Sequence, residues 1–326
     1  MSDGRKVLEA VAGAIRAASR DGPIMYEGAS ILSGHSGGKI LGALQRLPSV
    51  FDDEQVSYLE IGVFQGLTLL SVAGANPACR CYGVDNFAYF DEAGENRGIV
   101  RDRIASLDLA NVSVIDADYE DALECLPDFV GHRKVGVLFI DGPHDYRSQL
   151  MCLALAAPYL HSNAVVVVDD ANYPHVRQAN RDFLRTWPEF RLMFEAYTAA
   201  HPAEMRREAQ TEAKAGWWNG LNVIVRDPLG ILSYGEPPTE RSRILYENGH
   251  LVHTARLAEL APGAIRLADA LLGGRLPEVA WRIAALWRAQ RRHQIVYRER
   301  SRTRNTYSAE IAGEHWHWES ESEEAG

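Results

Sequence analysis

Cysteine is scarce in this chain. The four are Cys79, Cys81, Cys125 and Cys152 among 326 residues, and their spacing fits neither a zinc site nor a disulfide framework. Buried free thiols in a reducing compartment are expected. No apolar run reaches membrane-spanning length, and the first residues lack the pattern of a signal peptide, so a cytoplasmic location is expected with no membrane partner. A basic excess is also missing. Lys and Arg number 34 against 44 Asp and Glu, a formal charge of −10, which argues against a nucleic-acid binder and is compatible with a cationic small substrate. There is no internal repeat. The composition itself, 46% apolar and 24% charged, is that of a globular protein.

From Val56 onward, strand-like and helix-like stretches alternate. Strands are expected at Val56–Ile61, Arg80–Val84, Val112–Asp116, Val135–Ile140 and Ala164–Val168. Helices fit between them at Leu67–Ala73, Gly98–Leu107, Asp121–Leu126 and Arg147–Tyr159. The bare β-branched run Val165–Val168 reads as a strand buried on both faces. Such alternation predicts a parallel sheet with helices on both sides and a ligand site outside the carboxyl ends of the strands. Two later stretches, Phe190–Tyr197 and Leu221–Val225, suit an antiparallel pair that brings the sheet to seven strands. Ahead of the sheet, Val7–Ala18 and Lys39–Leu47 read as helices. They flank the loop Ser33-Gly34-His35-Ser36-Gly37-Gly38. After Pro237-Pro238, Leu257–Leu272 and Val279–Arg292 read as Arg-bearing helices. The stretch from His315-Trp316-His317-Trp318 to the acidic end reads as disordered or dependent on a partner, and it hints at a homo-oligomer.

The residues that suit chemistry sit at strand ends. Tyr58 to Leu69 reads as a strand, a turn carrying Gly62 and Gly66, and a helix start, which lets backbone N–H groups approach a ligand. The turn is neither a GxGxxG fingerprint nor a P-loop. Glu60 ends the first strand and Asp85 the second, where an acid can accept hydrogen bonds from a ribose diol. Asp141, Asp169 and Asp170 end two further strands. Three crowded carboxylates repel, and an oxygen-only set favours a hard divalent cation such as Mg²⁺; the same acids can instead cap helices or hold loops. His144, three residues after Asp141, can take a proton from a hydroxyl or ammonium. His35, Asp170, Tyr173 and His175 are candidates to line a substrate pocket.

YLEIGVFQGLT followed by YGVDNF resembles the first two motifs of class I S-adenosylmethionine-dependent methyltransferases. That resemblance implies a Rossmann-like α/β fold and a cofactor held by Glu60, Gly62, Gly66 and Asp85. Asp116-Ala117-Asp118-Tyr119 is similar to the segment that touches adenine, through Asp118 and Tyr119 here. FIDGPHDY with VVVVDD is similar to the small-molecule methyltransferases of antibiotic biosynthesis, macrolide sugar O-methyltransferases among them. It implies Mg²⁺ on Asp141, Asp169 and Asp170, with His144 and Asp141 catalytic and Asp141 also at the cofactor. The pair here is Asp-Asp where relatives often have Glu-Asp. The amino-terminal loop and the size of the chain also resemble the aminoglycoside N-methyltransferases. The resemblance covers roughly Val56 to Asp227; with the pattern along the chain, the expected organisation is an amino-terminal helical cap over 1–55, a cofactor-binding catalytic domain over 56–230, and a helical extension with an acidic tail over 231–326. The implied activity is N-methylation of an aminoglycoside amine, with metal-dependent O-methylation of a sugar hydroxyl as the alternative. An NAD-type dehydrogenase or epimerase shares the fold class, but the missing GxGxxG speaks against it. A non-catalytic binding module is disfavoured by the strand-end acids and His144.

Overall fold

The computed structural model describes residues 3–53, 55–91, 93–241, 249–304 and 308–318. The chain opens with helices α1 (Asp3–Asp21) and α2 (Gly38–Arg46), then runs through β1 (Val56–Ile61), α3 (Leu67–Ala75), β2 (Arg80–Val84), α4 (Asn96–Ser106) and β3 (Val112–Ile115). Two short helices, α5 (Tyr119–Glu124) and α6 (Leu126–Val130), lead to β4 (Lys134–Ile140), α7 (Tyr146–Ala156), β5 (Leu160–Asp169) and α8 (Pro174–Thr186). The sheet is completed by β6 (Phe190–Tyr197), α9 (Arg207–Ala215) and β7 (Leu221–Arg226); α10 (Gly249–Leu272), α11 (Leu276–Arg304) and β8 (Gly313–Trp316) follow. Among the described residues, no helix is long and apolar enough to cross a membrane.

The eight strands lie in the order β3-β2-β1-β4-β5-β7-β6-β8. β1 to β5 pair in parallel, whereas β7 is antiparallel to both β5 and β6. Burial explains the pattern: every residue of β1 is buried, as is nearly all of β4, so these strands need apolar side chains on both faces. One face packs under α1, α2 and α3, where Val11, Ile15, Ile40 and Leu44 meet Tyr58, Phe139 and Val167. The other packs under α5, α7 and α8, where Leu123, Leu153 and Phe183 meet Leu59, Leu138 and Val166.

Two stretches differ from expectation. The segment after Asp170 carries a full helix, α8, whose inner face holds Arg177, Gln178 and Asn180 among its buried residues. Those polar side chains hide its apolar stripe from a periodicity reading. The His-Trp run is ordered within its own chain: β8 pairs antiparallel with β6 and adds an eighth strand. The reason is aromatic burial. Trp316 packs on Phe194 at 4.6 Å, Arg16 lies 4.9 Å from the Trp316 ring centroid, and Trp318 is buried. Glu314 fastens the strand further by accepting hydrogen bonds from Lys39 (2.7 Å), Ser19 (2.9 Å) and the Trp217 indole (2.7 Å). The acidic end after Trp318 lies outside the described residues.

Candidate active site

Parallel pairing sets the carboxyl ends of β1, β2 and β4 side by side, and the ladder continues one residue past each strand. Gly62 N–H donates to the Val84 carbonyl (2.9 Å), Asp85 N–H to Ile115 (3.1 Å) and Asp141 N–H to Ile61 (2.9 Å). Gly62, Asp85 and Asp141 therefore share one rim. The approach is so close that a Cβ on Gly62 would lie 2.1 Å from the Asp141 carbonyl oxygen, and its φ of 92° already excludes most side chains. Gly66, at φ 82°, is the N-cap of α3.

The first two acids hold this turn. Glu60 has no solvent exposure; Tyr58 OH and Thr68 Oγ1 each donate to it at 2.6 Å. Burial pushes its pKa up to about 8, against the opposing effect of those hydrogen bonds. Glu60 thus lies beneath the turn and braces it. The Asp85 carboxylate accepts from the backbone N–H groups of Val63 and Phe64 (2.8 Å each) and of Phe87 (2.7 Å), stitching the loop after β1 to the loop after β2. Asp118 is the N-cap of α5, accepting from Glu120 N–H at 2.9 Å, and Asn86 Nδ2 lies 3.4 Å from its other oxygen. Tyr119 is half-buried beside it, and its hydroxyl donates to Glu120 (2.9 Å). Over the turn, the exposed His35 ring lies 5.7 Å from Phe64. Arg103 ties the two loops by donating to the Gln65 and Ser33 carbonyls.

The second half of the rim is a chain of polar contacts. His144 Nε2 lies 2.6 Å from Asp170 Oδ2 and 3.9 Å from Asp141 Oδ1. Asn219 Nδ2 donates to Asp170 Oδ1 at 2.6 Å, and Asn219 in turn accepts from Asn172 (3.0 Å). Asp170 sits at φ 55°, a left-handed conformation that turns its side chain away from the line of β5. Asp169, the last residue of β5, is buried, and its Oδ1 accepts from Asp170 N–H at 2.9 Å. Rings stack along the same edge: His144 on Tyr173 at 5.9 Å, Tyr173 on His175 at 5.2 Å, with His201 6.0 Å from Tyr173.

Charge in this cleft follows burial and neighbours. The carboxyls of Asp141 and Asp169 are held well above the usual range, first by burial and then by the negative charges of neighbouring acids. Burial opposes ionisation of Asp170 as well, but the charge and hydrogen bond of His144 together with the Asn219 bond bring it below the usual value. Burial would lower His144; the Asp170 partner outweighs it, and the net direction is up. The ligand atoms of Asp141, His144 and Asp170 lie within 4.8 Å of one another, close enough to share a divalent cation. That group includes an imidazole and leaves Asp169 outside, so it is not the three-carboxylate set expected from spacing.

Three participants had escaped sequence reading. His201 follows β6 in what looks like a plain loop. Asn219 lies inside Gly216-Trp217-Trp218-Asn219-Gly220, where the tryptophans draw attention. Asn172 sits two residues before the first residue of α8. The only signal was the crowding of Asn and Gly around β7.

Residues 59–171 match the family model described as "Methyltransferase domain", about a third of the chain. The matched residues run from β1 to just past β5, the parallel part of a Rossmann-like, mostly parallel sheet of eight strands. A curated relative, the uncharacterized protein R132 of Acanthamoeba polyphaga mimivirus, is 25% identical over 129 residues, which are 39% of this chain. The match spans 57% of the length of that relative. Similar solved structures include cofactor-bound Rv0187 from MTB, at 19% identity and TM-score 0.41 over 68% of this chain and 90% of that one. Another is an O-methyltransferase from Bacillus cereus in complex with SAH, at 15% identity and TM-score 0.41 over the same shares. A third is the O-methyltransferase TomG from Streptomyces achromogenes, at 17% identity and TM-score 0.41 over 67% of this chain and 90% of that one.

Proposed function

We propose that this methyltransferase uses S-adenosylmethionine and methylates a small sugar-containing molecule, with an aminoglycoside amine as the acceptor and antibiotic biosynthesis as the setting. The observation that carries the reading is the shared rim: the Gly62–Gly66 turn and Asp85 lie on one side of Asp141, and the His144–Asp170 pair lies on the other. S-adenosylmethionine supplies a methyl group that is already electrophilic, so the protein has mainly to align a nucleophile with it. Gly62 lets the turn lie close to the ligand, Asp85 fixes the loop that faces the ribose, and Asp118 and Tyr119 flank the adenine end. Asp141 stands between cofactor and acceptor.

His144 is the base in this reading. With its proton on Nε2 and donated to Asp170, Nδ1 carries the lone pair that accepts a proton from the acceptor. Asn219 holds Asp170, and Tyr173 stacks on the imidazole, so ring and tautomer are both fixed. An ammonium group suits the site because it answers the charge of crowded carboxylates that are otherwise held protonated. Tyr173 and His175 line the acceptor side, and His35, over the turn that holds the cofactor, closes on the acceptor from the opposite side. The test is turnover of isotopically labelled cofactor against aminoglycosides. His144→Ala should lower kcat by about 100-fold or more while S-adenosylhomocysteine affinity stays within about 2-fold; equal loss of both would remove His144 from the chemistry.

A second reading rests on the cation-sized cluster of Asp141, His144 and Asp170. A divalent ion there, Mg²⁺ or a softer ion suited to imidazole, would hold vicinal hydroxyls and lower the pKa of one for O-methylation. It would have to replace the His144–Asp170 hydrogen bond. Activity abolished by chelation and restored by the ion would select this reading, and activity indifferent to chelation would select the amine.

A further inference from the structure

We infer that α10 and α11 form a homodimerisation module, in which the first turns of α11 pair antiparallel with the same turns of a second copy. The two helices pack on each other; a Cβ on Gly263 would lie 3.0 Å from Leu286 Cδ1. Yet among the described side chains of this hairpin only Ala270 and Val279 are buried. Ile265, Leu271, Leu272, Leu276, Trp281, Ile283 and Trp287 are all more than half exposed, and Leu272 reaches 91%. An isolated chain gains nothing from holding so much apolar surface in water.

The pattern of that surface identifies the occupant. Leu276, Ala280, Ile283 and Trp287 recur at intervals of four, three and four residues, the seam that packs helix on helix. Trp281 falls on a different side of α11, and α10 adds Ile265 and Leu272. Apolar residues on several sides suit partner helices, whereas a lipid surface covers one side. Charge agrees. Arg275 is paired with Asp269 and Glu278, and Arg282 with Glu278, so the patch from Ile265 to Trp287 is close to neutral. Seven further arginines follow from Arg288 to Arg304; Arg291 lies 4.2 Å over the Trp287 ring at the edge of the patch, and the rest lie beyond Trp287 in sequence. An antiparallel two-fold pairing near Ala280 and Ile283 sets Leu276 of one copy against Trp287 of the other and sends the two basic halves in opposite directions. A parallel pairing would force them together.

Sedimentation velocity on the full chain tests this, with Ile283→Glu/Trp287→Glu and, separately, Leu276→Glu as variants. The wild type should sediment at twice 36.2 kDa at concentrations of about 20 µM. Both variants should sediment as monomers with unchanged far-UV circular dichroism and unchanged S-adenosylhomocysteine binding, a control independent of the catalytic reading. A wild type that stays monomeric, or a dimer indifferent to both variants, overturns the proposal. A monomer that floats with phosphatidylserine vesicles overturns it in favour of a lipid surface.

Discussion

Replacing Glu60 by Gln should change how the stability of the whole fold responds to pH. Glu60 is fully buried, and its pKa stands at about 8 against an ordinary 4.5. The folded state therefore binds a proton that the unfolded state releases. The resulting stability is fully present below about 4.5 and is lost as pH rises through about 8. Across that window each pH unit removes about 1.4 kcal/mol. From about pH 5 to about pH 7.5 the wild type should lose roughly 3 kcal/mol from this group alone, or roughly 6 °C in Tm for a chain of this size. Gln is isosteric and does not titrate, and the hydroxyls of Tyr58 and Thr68 can each accept from its amide as well as donate to its oxygen. Asp141 and Asp169 are shifted in the same direction, each in part by the Glu60 charge, so the difference between wild type and Glu60→Gln reports Glu60 together with its coupling to those two acids. The assay is thermal unfolding by circular dichroism in matched buffers without cofactor. Parallel pH profiles for the two proteins would refute the reasoning.

Asp170→Asn keeps the shape of the His144 partner but removes its charge; kcat should fall by about 10-fold to 100-fold with little change in cofactor affinity, and the acidic limb of the rate profile should move to lower pH. Asn180→Leu cuts a buried chain in which Gln149 donates to Asn180 (3.1 Å) and Asn180 to Asn222 (2.9 Å). Leaving both neighbours unsatisfied should cost about 2–4 kcal/mol, read as a lower urea midpoint at unchanged m value. Trp316→Ala removes the ring that sits between Phe194 and Arg16 and should cost about 2–3 kcal/mol. If β8 is anchored mainly through its backbone, that loss will be well under 1 kcal/mol.

The central sheet was legible because its strands are bare apolar runs. Val56–Ile61, Arg80–Val84 and Phe190–Tyr197 form as expected, and the antiparallel turn of β7 follows the late pair of strands. Glycines and acids at strand ends could be placed on one rim because parallel pairing aligns those ends. What each acid does there was not legible. Glu60 read as a strand-end acid facing a ligand, yet it accepts from a tyrosine two residues away, as Glu195 does in β6, a contact set by side-chain direction and not by composition. The pairing of His144 with Asp170 depends on a left-handed residue after β5 and on Asn219 from the turn before β7, about fifty positions later in the chain. α8 was hidden by buried Arg177, whose guanidinium finds the Ala171 and Asn172 carbonyls at the start of its own helix. β8 was hidden because its partner strand lies more than a hundred residues earlier.

Calorimetric titration of S-adenosylhomocysteine into the wild type and into Gly62→Val tests the shared rim most directly. Valine at that position would drive a side chain into the Asp141 carbonyl and separate the turn from the loop after β4. One-to-one binding by the wild type, lost in Gly62→Val while the variant remains folded, is the predicted result. No binding by the wild type, equal binding by both proteins, or binding of NAD in place of the sulfur nucleoside would contradict it.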